Sequence, residues 1–230
     1  MITLLGVGHV FDLRAQVRDA ILRRGPAVVG LELDAPRYYA LRHRGQPHGG
    51  PRMVRLLATI EERIAHEYGT EVGDEMLSAA SAAQEIGAAL VLIDMDAGQM
   101  TRRLLRELGF WGRLKLLWAV VAGLFVPRGR VEAEIQRYEE DQEAYVAEFS
   151  RHFPAAKRIL IDERDEHMAR TLRELDGRYG RVVAVVGDGH VDGLRARLAD
   201  LSPEVIRLKD LRNATPETGA EFRYSFTYRG

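Results

Sequence analysis

The sequence predicts an α/β protein in which a central, mainly parallel sheet is flanked by helices. Three observations indicate this class: four short apolar runs, helical tracts between the first three of them, and no strand-like run between Gly98 and Tyr179. We therefore expect a single domain over residues 1–230, with a large helical insertion at about 98–179 between the third and fourth core strands.

The apolar runs mark the core strands, because short apolar runs that end at Gly, Asp or Glu are typical of buried parallel strands. In chain order they are Ile2–Val7, Ala27–Leu33, Ala89–Ile93 and Val182–Val186. Helices are predicted over Leu13–Arg24, from about Pro36 (resuming over Val54–Glu67 after a break at Gly45–Pro51), over Asp74–Ile86, and within the insertion over Val131–Phe149 and Ala155–Leu175. This alternation is the pattern of βαβ units.

Two further strands are predicted near the C-terminal end. Glu204–Leu208 has the apolar character of a strand, and aromatic residues alternate with other residues from Phe222 to Tyr228. A period of two is typical of a strand, because successive side chains point to opposite faces. We expect these segments to form a C-terminal strand pair at a sheet edge or between subunits.

The composition argues against several classes of protein. With 46% hydrophobic residues, the chain has enough apolar side chains to form a core and is not predicted to be disordered. Its 33 basic and 34 acidic residues leave a net charge of −1, which argues against nucleic acid as a partner. The chain has no cysteine, so a bound metal would be held by His, Asp or Glu.

The longest apolar segment, Leu116–Val126, has eleven residues, whereas a helix that crosses a bilayer needs about twenty. We expect this segment to be a buried helix or a homodimer face, and peripheral membrane contact through 116–126 is the alternative. The N-terminus lacks the basic region of a secretory signal, which predicts a cytoplasmic protein that could associate with a membrane.

Two segments share one local design, in which a strand is followed by Gly-x-Gly and a histidine. They are Gly6-Val7-Gly8-His9 at the first strand and Gly187-Asp188-Gly189-His190 at the fourth. Side chains just past the carboxyl ends of neighbouring parallel strands meet in one crevice. We therefore expect His9 and His190 to face each other.

Acidic residues end the second and third strands, where Glu32 and Asp34 are followed along the chain by Asp94 and Asp96. A carboxylate in an apolar run is costly to bury unless it meets a metal, a cation or a proton, and Arg37 is the simplest partner for Glu32. Two histidines and a carboxylate with open positions would suit zinc, manganese, cobalt or iron in a hydrolytic site.

A dinucleotide-binding site is a competing interpretation. Gly6-x-Gly8 after a strand, with Glu32 further along, has the outline of the dinucleotide fingerprint. Phe11 stands where that fingerprint has its third glycine, so we favour this interpretation less.

Three more charged residues are candidates for the site. A dense charge run from Asp162 to His167 follows the apolar Ile159–Ile161 in a predicted helix. Such a run is usually a solvent-exposed face, but Glu163 and Arg164 could reach the crevice and support it or stabilise an oxyanion. Glu75 opens another helix, where the helix dipole favours an acid in any case.

The chain contains, in order, GVGHV, VVGLELDAPRYYAL, GDEMLSAASAAQEIGAALVLIDMD, LIDERDEHMARTL and VAVVGDGHVDGL, between Gly6 and Leu194. In these segments it resembles the TraB/PrgY/GumN family. That family is similar to a larger fold group that includes the Tiki metalloproteases, the erythromycin-esterase-like hydrolases and the haem-binding ChaN proteins.

The resemblance implies a reaction and a set of site residues. It makes His9 and His190 ligands of a divalent metal together with Glu32, with Mn or Co expected first and Zn or Fe next. The other polar family positions, to which it gives catalytic roles, are Glu75, Glu163 and Arg164. The implied reaction is peptide hydrolysis, in which Glu32 binds the metal or accepts a proton and Arg164 stabilises the oxyanion.

One departure from the family pattern follows the third predicted strand. Relatives often have Asp-Arg-Asp where this chain has Asp94-Met95-Asp96, and Arg102 or Arg103 would have to supply the arginine. In TraB and PrgY the implied role is the shutdown of peptide pheromones, which a sequestering protein could achieve without catalysis. A non-catalytic binder of peptide or haem is therefore the first alternative, and a metal-independent esterase is the second.

Overall fold

The computed structural model describes residues 1–8, 11–43, 73–109 and 154–214, together with the single positions 112, 114 and 118. Its strands are β1 Ile2–Val7, β2 Val28–Leu31, β3 Ala89–Leu92, β4 Val182–Gly187 and β5 Glu204–Ile206. They form one sheet in the order β3-β2-β4-β1-β5, and every pairing is parallel. The predicted α/β class and the four predicted core strands are therefore confirmed.

The helices follow the predicted alternation. They are α1 Arg14–Arg24, α2 Ala35–Arg42, α3 Asp74–Glu85, α4 Ala97–Glu107, α5 Pro154–Lys157, α6 Glu163–Tyr179, α7 Asp188–Arg197 and α8 Leu208–Asn213. A π-helical turn, Arg158–Asp162, joins α5 to α6, and a 3-10 turn covers Ala199–Leu201. Gly25 and Gly180 end α1 and α6 with φ values of 51° and 73°, a left-handed conformation that glycine adopts without strain.

Alternate side chains of the strands form two apolar layers, one on each face of the sheet. Leu5 belongs to the layer that includes Met76 of α3, and α1 lies on the same face. Leu4 belongs to the other layer, with Leu172 of α6 and Leu194 of α7. The sheet is thus covered on both faces, and α6 and α7 share one face.

Several predicted segments fall outside the described residues. They are Val54–Glu67, Val131–Phe149, Phe222–Tyr228 and all of Leu116–Val126 except Trp118, whose side chain is exposed. One strand of the predicted C-terminal pair is described, and it is β5, which pairs with β1. None of the described helices has the length and apolar character needed to span a bilayer. The homodimer, the membrane contact and the cytoplasmic location stay predictions.

Candidate functional site

A polar cluster lies where the strands end, on the face of the sheet that α6 and α7 cover. Glu32 follows β2, Asp94 follows β3, and His190 lies in the first turn of α7, directly after β4. Arg164 and Asp165 reach the same place from the first turn of α6. This is the carboxyl edge of a parallel sheet, where the ligand sites of open α/β proteins lie.

The two Gly-x-Gly-His segments belong to neighbouring strands. β1 pairs with β4, and Val7 lies opposite Gly187 in the register. This adjacency agrees with the expectation that both segments end at one crevice. His9 itself lies outside the described residues, so its position opposite His190 stays a prediction.

His190 is held between two carboxylates and is only 7% exposed. Its Nδ1 lies 2.6 Å from Asp165 Oδ1, and its Nε2 lies 3.3 Å from Glu32 Oε1. Burial raises the pKa of the Asp165 carboxyl, and the hydrogen bond with His190 offsets this only in part. A ring N–H on Nδ1 that donates to Asp165 leaves the Nε2 lone pair directed at Glu32.

A glycine on α7 makes room for Asp165. A methyl group on Gly193 would lie 1.9 Å from Asp165 Oδ2, so the helix surface has to be bare at this position. Arg197 Nη1 lies 3.6 Å from the same oxygen. Asp165 is therefore buried against α7 with one oxygen on His190 and the other near a guanidinium group.

Glu32 is held by a backbone amide and by an arginine. Its Oε2 accepts the N–H of Gly187 at 2.6 Å, and its Oε1 accepts a hydrogen bond from Arg164 Nη2. A methyl group on Gly187 would lie 3.3 Å from Oε2, which is tighter than most carbon contacts. The Gly-x-Gly turn after β4 thus brings a backbone donor close to the carboxylate that follows β2.

Arg164 joins the carboxylates of β2 and β3. It donates from Nε to Asp94 Oδ1 at 3.0 Å and from Nη2 to Asp94 Oδ2 at 2.6 Å, in addition to Glu32. Its Nη1 donates to the carbonyl of Leu160 at 3.3 Å. Burial by itself lowers the pKa of Arg164, but the hydrogen bond to Asp94 and the charges of Asp94 and Glu32 raise it overall, so the side chain stays charged.

Asp94 is fully buried and accepts donors on both oxygens. Besides Arg164, it accepts the N–H of Met95 at 2.7 Å and a hydrogen bond from Arg37 Nη2. Burial by itself would raise the pKa of Asp94, but hydrogen bonds and charges of Arg164 and Arg37 lower it overall. Asp94 is therefore an ionised carboxylate between two guanidinium groups.

The other strand-end acids form helix caps. Asp34 accepts the N–H of Arg37 at 2.8 Å at the start of α2, and the N–H of Ala97 at 2.6 Å at the start of α4. Asp96 accepts the N–H of Gln99 at 2.6 Å. Both acids satisfy amides that a helix start leaves without partners, which is the usual use of an N-cap aspartate.

The ion pairs of Glu32, Asp94 and Arg103 differ from those that the sequence suggests. Arg37 pairs with Asp34 and Asp94, and the described partner of Glu32 is Arg164. Arg103 is bound to Glu163 by two hydrogen bonds of 2.6 and 3.0 Å, so these two form a pair between α4 and α6. Among the described residues, the arginines that bind Asp94 are Arg37 and Arg164.

Glu75 lies at the same end of the sheet as the cluster but belongs to the opposite face. It is 3% exposed in the first turn of α3. The start of α3 is fixed beside the start of α1, because Ser78 Oγ donates to the carbonyl of Arg14 at 2.7 Å. The sheet thus separates α3 from α6 and α7.

Sequence reasoning missed Asp165. The sequence signal for Asp165 is its spacing. Asp165, Met168 and Leu172 fall at i, i+3 and i+7, which places an acid on the buried stripe of α6. Gly193, three residues after His190, is a second signal. Among the residues that the structure describes, no group of three or more His, Asp or Glu side chains is arranged as a metal site.

The fold and this cluster define a class: a three-layer α/β protein with a buried Asp–His–Glu–Arg cluster at the carboxyl edge of a parallel sheet. The profile of the TraB/PrgY/gumN family matches residues 1–202, and the chain belongs to that family.

Its relatives are longer proteins. The chain is 27% identical over 206 residues to an uncharacterized protein of Methanocaldococcus jannaschii, an alignment that covers 84% of this chain and 52% of the relative. It is 27% identical over 171 residues to a TraB domain-containing protein of Mus musculus, covering 67% of this chain and 45% of that protein. The corresponding human protein is 26% identical over the same shares. The chain thus spans about half the length of the curated relatives it matches.

Proposed function

We propose that the protein is a metal-dependent hydrolase that acts on peptides, with His9, His190 and Glu32 as ligands of a divalent metal. The observation that carries the proposal is the orientation of His190, whose Nδ1 lies 2.6 Å from Asp165 while its Nε2 lies 3.3 Å from Glu32 Oε1. A metal-binding histidine nearly always donates its other ring N–H to a carboxylate, a carbonyl or water. The Asp165–His190 pair has this form.

The local charge also supports a cation. In the part of the chain that the structure describes, Glu32, Asp34 and Asp94 share two guanidinium groups, those of Arg37 and Arg164. These carboxylates therefore carry more negative charge than the arginines beside them balance. A divalent ion held by imidazole and carboxylate would offset part of this excess, and Mn, Co, Zn and Fe all accept such ligands.

The chain's own residues would prepare the site. Asp165 holds the ring of His190 through Nδ1, and Arg164 with the Gly187 N–H orients the Glu32 carboxylate. When bound, the metal would supply Lewis acidity toward a carbonyl and would make water easier to deprotonate. Glu32 would bind the metal or accept a proton, as the resemblance implies, and its Oε1 lies 3.3 Å from His190 Nε2.

The geometry favours a supporting role for Arg164. The sequence suggests that this arginine stabilises an oxyanion, but its Nε, Nη1 and Nη2 already donate to Asp94, Leu160 and Glu32. We therefore assign it to the orientation of Glu32. Peptides are the proposed substrates because of the resemblance to the Tiki metalloproteases, and Glu75 and Glu163 keep the catalytic roles that this resemblance implies as proposals.

The first test is the metal content of protein purified without chelator or affinity metal. We expect stoichiometric Mn, Co, Zn or Fe in the wild type, its loss in folded His190→Ala, and its retention in His43→Ala, which removes an exposed histidine at the end of α2. Peptide cleavage with the bound metal should follow the same pattern. Absence of metal from folded wild type, even after reconstitution with each ion, would refute the proposal.

One observation favours a second candidate. A histidine held by a buried aspartate is also the arrangement of a general base, so the Asp165–His190 pair would serve a metal-independent esterase equally well. Ester cleavage that is insensitive to chelator and lost in His190→Ala would identify this function. Cleavage that chelator abolishes and added metal restores would exclude it.

A further inference from the structure

A chain of ion pairs leads from α2 to Glu32. Arg37 donates to Asp94, Asp94 accepts from Arg164, and Arg164 donates to Glu32. The side chain of Asp94 is 0% exposed and that of Arg164 is 13% exposed, so water contributes little to their orientation. We call these three residues, Arg37, Asp94 and Arg164, the ion-pair relay.

Asp94 accepts more hydrogen bonds from Arg164 than Glu32 does. It receives Nε at 3.0 Å and Nη2 at 2.6 Å on its two oxygens, which fixes the plane of the guanidinium group. Glu32 receives only Nη2 from the same group. A planar guanidinium held by two parallel donors has one orientation, so Asp94 determines how Arg164 presents Nη2 to Glu32.

Asp94 is in turn fixed by Arg37 and by the backbone. Arg37 Nη2 and Arg164 Nη2 share Asp94 Oδ2, and the N–H of Met95 occupies Oδ1. The backbone of Arg37 is held because its N–H donates to Asp34 Oδ1 at 2.8 Å, whereas its Nε lies 3.3 Å from the same oxygen and makes no hydrogen bond to the described residues. The relay therefore begins at a helix start and ends at the carboxylate beside His190.

We infer that Asp94, held by Arg37, is a positioning residue that sets the orientation of Arg164 and, through it, of Glu32. The inference rests on the proposed function, in which Glu32 acts directly. Without the charge of Asp94, Arg164 is free to turn Nε and Nη2, the two donors that Asp94 now binds, toward Glu32. The Glu32 carboxylate would then leave the Gly187 N–H and its place opposite His190 Nε2.

The test compares Asp94→Asn with Asp19→Asn in the full-length chain. Asp19 is a matched control, because it is also buried and paired with an arginine, Arg23, but lies on α1 on the other face of the sheet. The direct readout is the Nε–H NMR signal of Arg164, identified by its loss in Arg164→Lys. We expect this signal to exchange slowly in the wild type and in Asp19→Asn, and to shift and exchange faster in Asp94→Asn.

Two further readouts separate positioning from stability. With the metal that the wild type retains, kcat for peptide cleavage should fall about 10- to 100-fold in Asp94→Asn, with a smaller change in KM. Asp19→Asn should keep its kcat, although it also loses a buried carboxylate that is paired with an arginine. Arg37→Lys, which keeps the charge on Asp94, should lose less activity than Arg37→Gln.

The outcomes distinguish this inference from the proposed function. An unchanged Arg164 signal in Asp94→Asn would overturn the inference, and so would a changed signal with wild-type kcat. If neither the wild type nor any variant binds metal or cleaves peptide, the proposed function fails. A signal that still responds to Asp94→Asn, and not to Asp19→Asn, would then support the orientation of Arg164 by Asp94 independently of catalysis.

Discussion

Asp165 controls which nitrogen of His190 carries a proton. Its Oδ1 lies 2.6 Å from Nδ1, and a carboxylate can only accept, so the proton belongs on Nδ1. In Asp165→Asn the amide group can donate to Nδ1, which moves the ring proton to Nε2, beside Glu32. We predict a loss of about 10- to 100-fold in metal affinity or in cleavage rate. Titration with Mn²⁺ and the ring ¹⁵N shifts of His190 would measure both effects.

Glu166→Gln is the control for this substitution. Glu166 is the next residue on α6, its side chain is 71% exposed, and it contacts Arg197, as Asp165 does. It should change neither the tautomer nor the affinity. Wild-type tautomer and affinity in Asp165→Asn would show that Asp165 does not orient the imidazole.

Asp94 links the stability of the fold to pH. Burial by itself would raise its pKa, but Arg164 and Arg37 lower it overall. Because the folded-state pKa lies below the unfolded value of about 3.9, ionised Asp94 stabilises the fold above that pH. This contribution disappears as pH falls through the folded-state pKa.

We predict that Asp94→Asn lowers the free energy of unfolding at pH 7 by about 1.5–3 kcal/mol, the usual value of hydrogen bonds to charged groups. The difference from the wild type should shrink in acid, where both side chains are neutral. Urea unfolding at pH 7 and at successively lower pH would measure it. An equal difference at every pH would show that the charge of Asp94 contributes nothing.

The identity of several site residues follows from the sequence, but their partners do not. Strand ends and Gly-x-Gly turns place Glu32 and His190 at one edge, and the structure brings their atoms to 3.3 Å. Which arginine meets Glu32 depends on the face that α6 presents, and Arg164 takes the place that local spacing gives to Arg37. Asp165 was missed because a charge run in a helix usually faces solvent.

At the scale of helices, substitutions of two glycines should change the free energy of unfolding in opposite directions. A methyl group on Gly177 in α6 would meet no atom within 4 Å beyond its own stretch of helix backbone, whereas one on Gly193 in α7 would lie 1.9 Å from Asp165 Oδ2. Gly177→Ala should raise the free energy of unfolding by about 0.5–1 kcal/mol, because glycine loses more backbone entropy. Gly193→Ala should lower it by about 1–3 kcal/mol through overpacking.

Urea unfolding would measure both changes, and metal binding would separate them further. Gly193→Ala displaces Asp165 from His190 and should weaken metal binding, whereas Gly177→Ala should not. Equal stabilisation by the two substitutions would mean that Asp165 moves aside at no cost, and it would contradict the tight packing of α6 against α7.

Elements differ in how well the sequence predicts them. The apolar runs locate the strands, although β2 ends at Leu31, because Leu33 turns back and donates its N–H to Leu31 at 2.7 Å. The helix predicted over Ala155–Leu175 contains the π-helical turn Arg158–Asp162. A single π turn rotates all later side chains about the helix axis. It leaves the apolar composition the same, so periodicity does not predict it.

At the scale of the whole molecule, the order of the strands determines which residues meet. The sequence predicts parallel strands and their ends, but β1 lies between β4 and β5, which come much later in the chain. The repeated Gly-x-Gly-His design was the one local sign that β1 and β4 are neighbours. Long-range pairing of this kind follows from packing of the whole chain and is only weakly encoded in any short segment.

Asp188 links β4, inside the sheet, to the segment that follows the edge strand β5. It follows β4, and its Oδ1 accepts the buried N–H of Leu208 at 2.9 Å, where α8 begins after β5. Its Oδ2 accepts Arg207 Nη2 at 3.0 Å, and Arg207 Nη1 lies 2.9 Å from Asp192. The two aspartates thus share an arginine, but only Asp188 satisfies the buried amide of Leu208 in these contacts.

Asp188→Ala should therefore loosen β5 and α8 before the rest of the sheet, whereas Asp192→Ala should not. Loss of the acceptor leaves a buried N–H without a partner, which costs about 1–3 kcal/mol, while an exposed ion pair contributes about 0–1 kcal/mol. Amide hydrogen exchange would report faster opening of β5 and α8 in Asp188→Ala, with β2 and β4 protected by their position inside the sheet. Uniformly faster exchange in all strands would contradict this, because it would mean that the edge and the centre open as one unit.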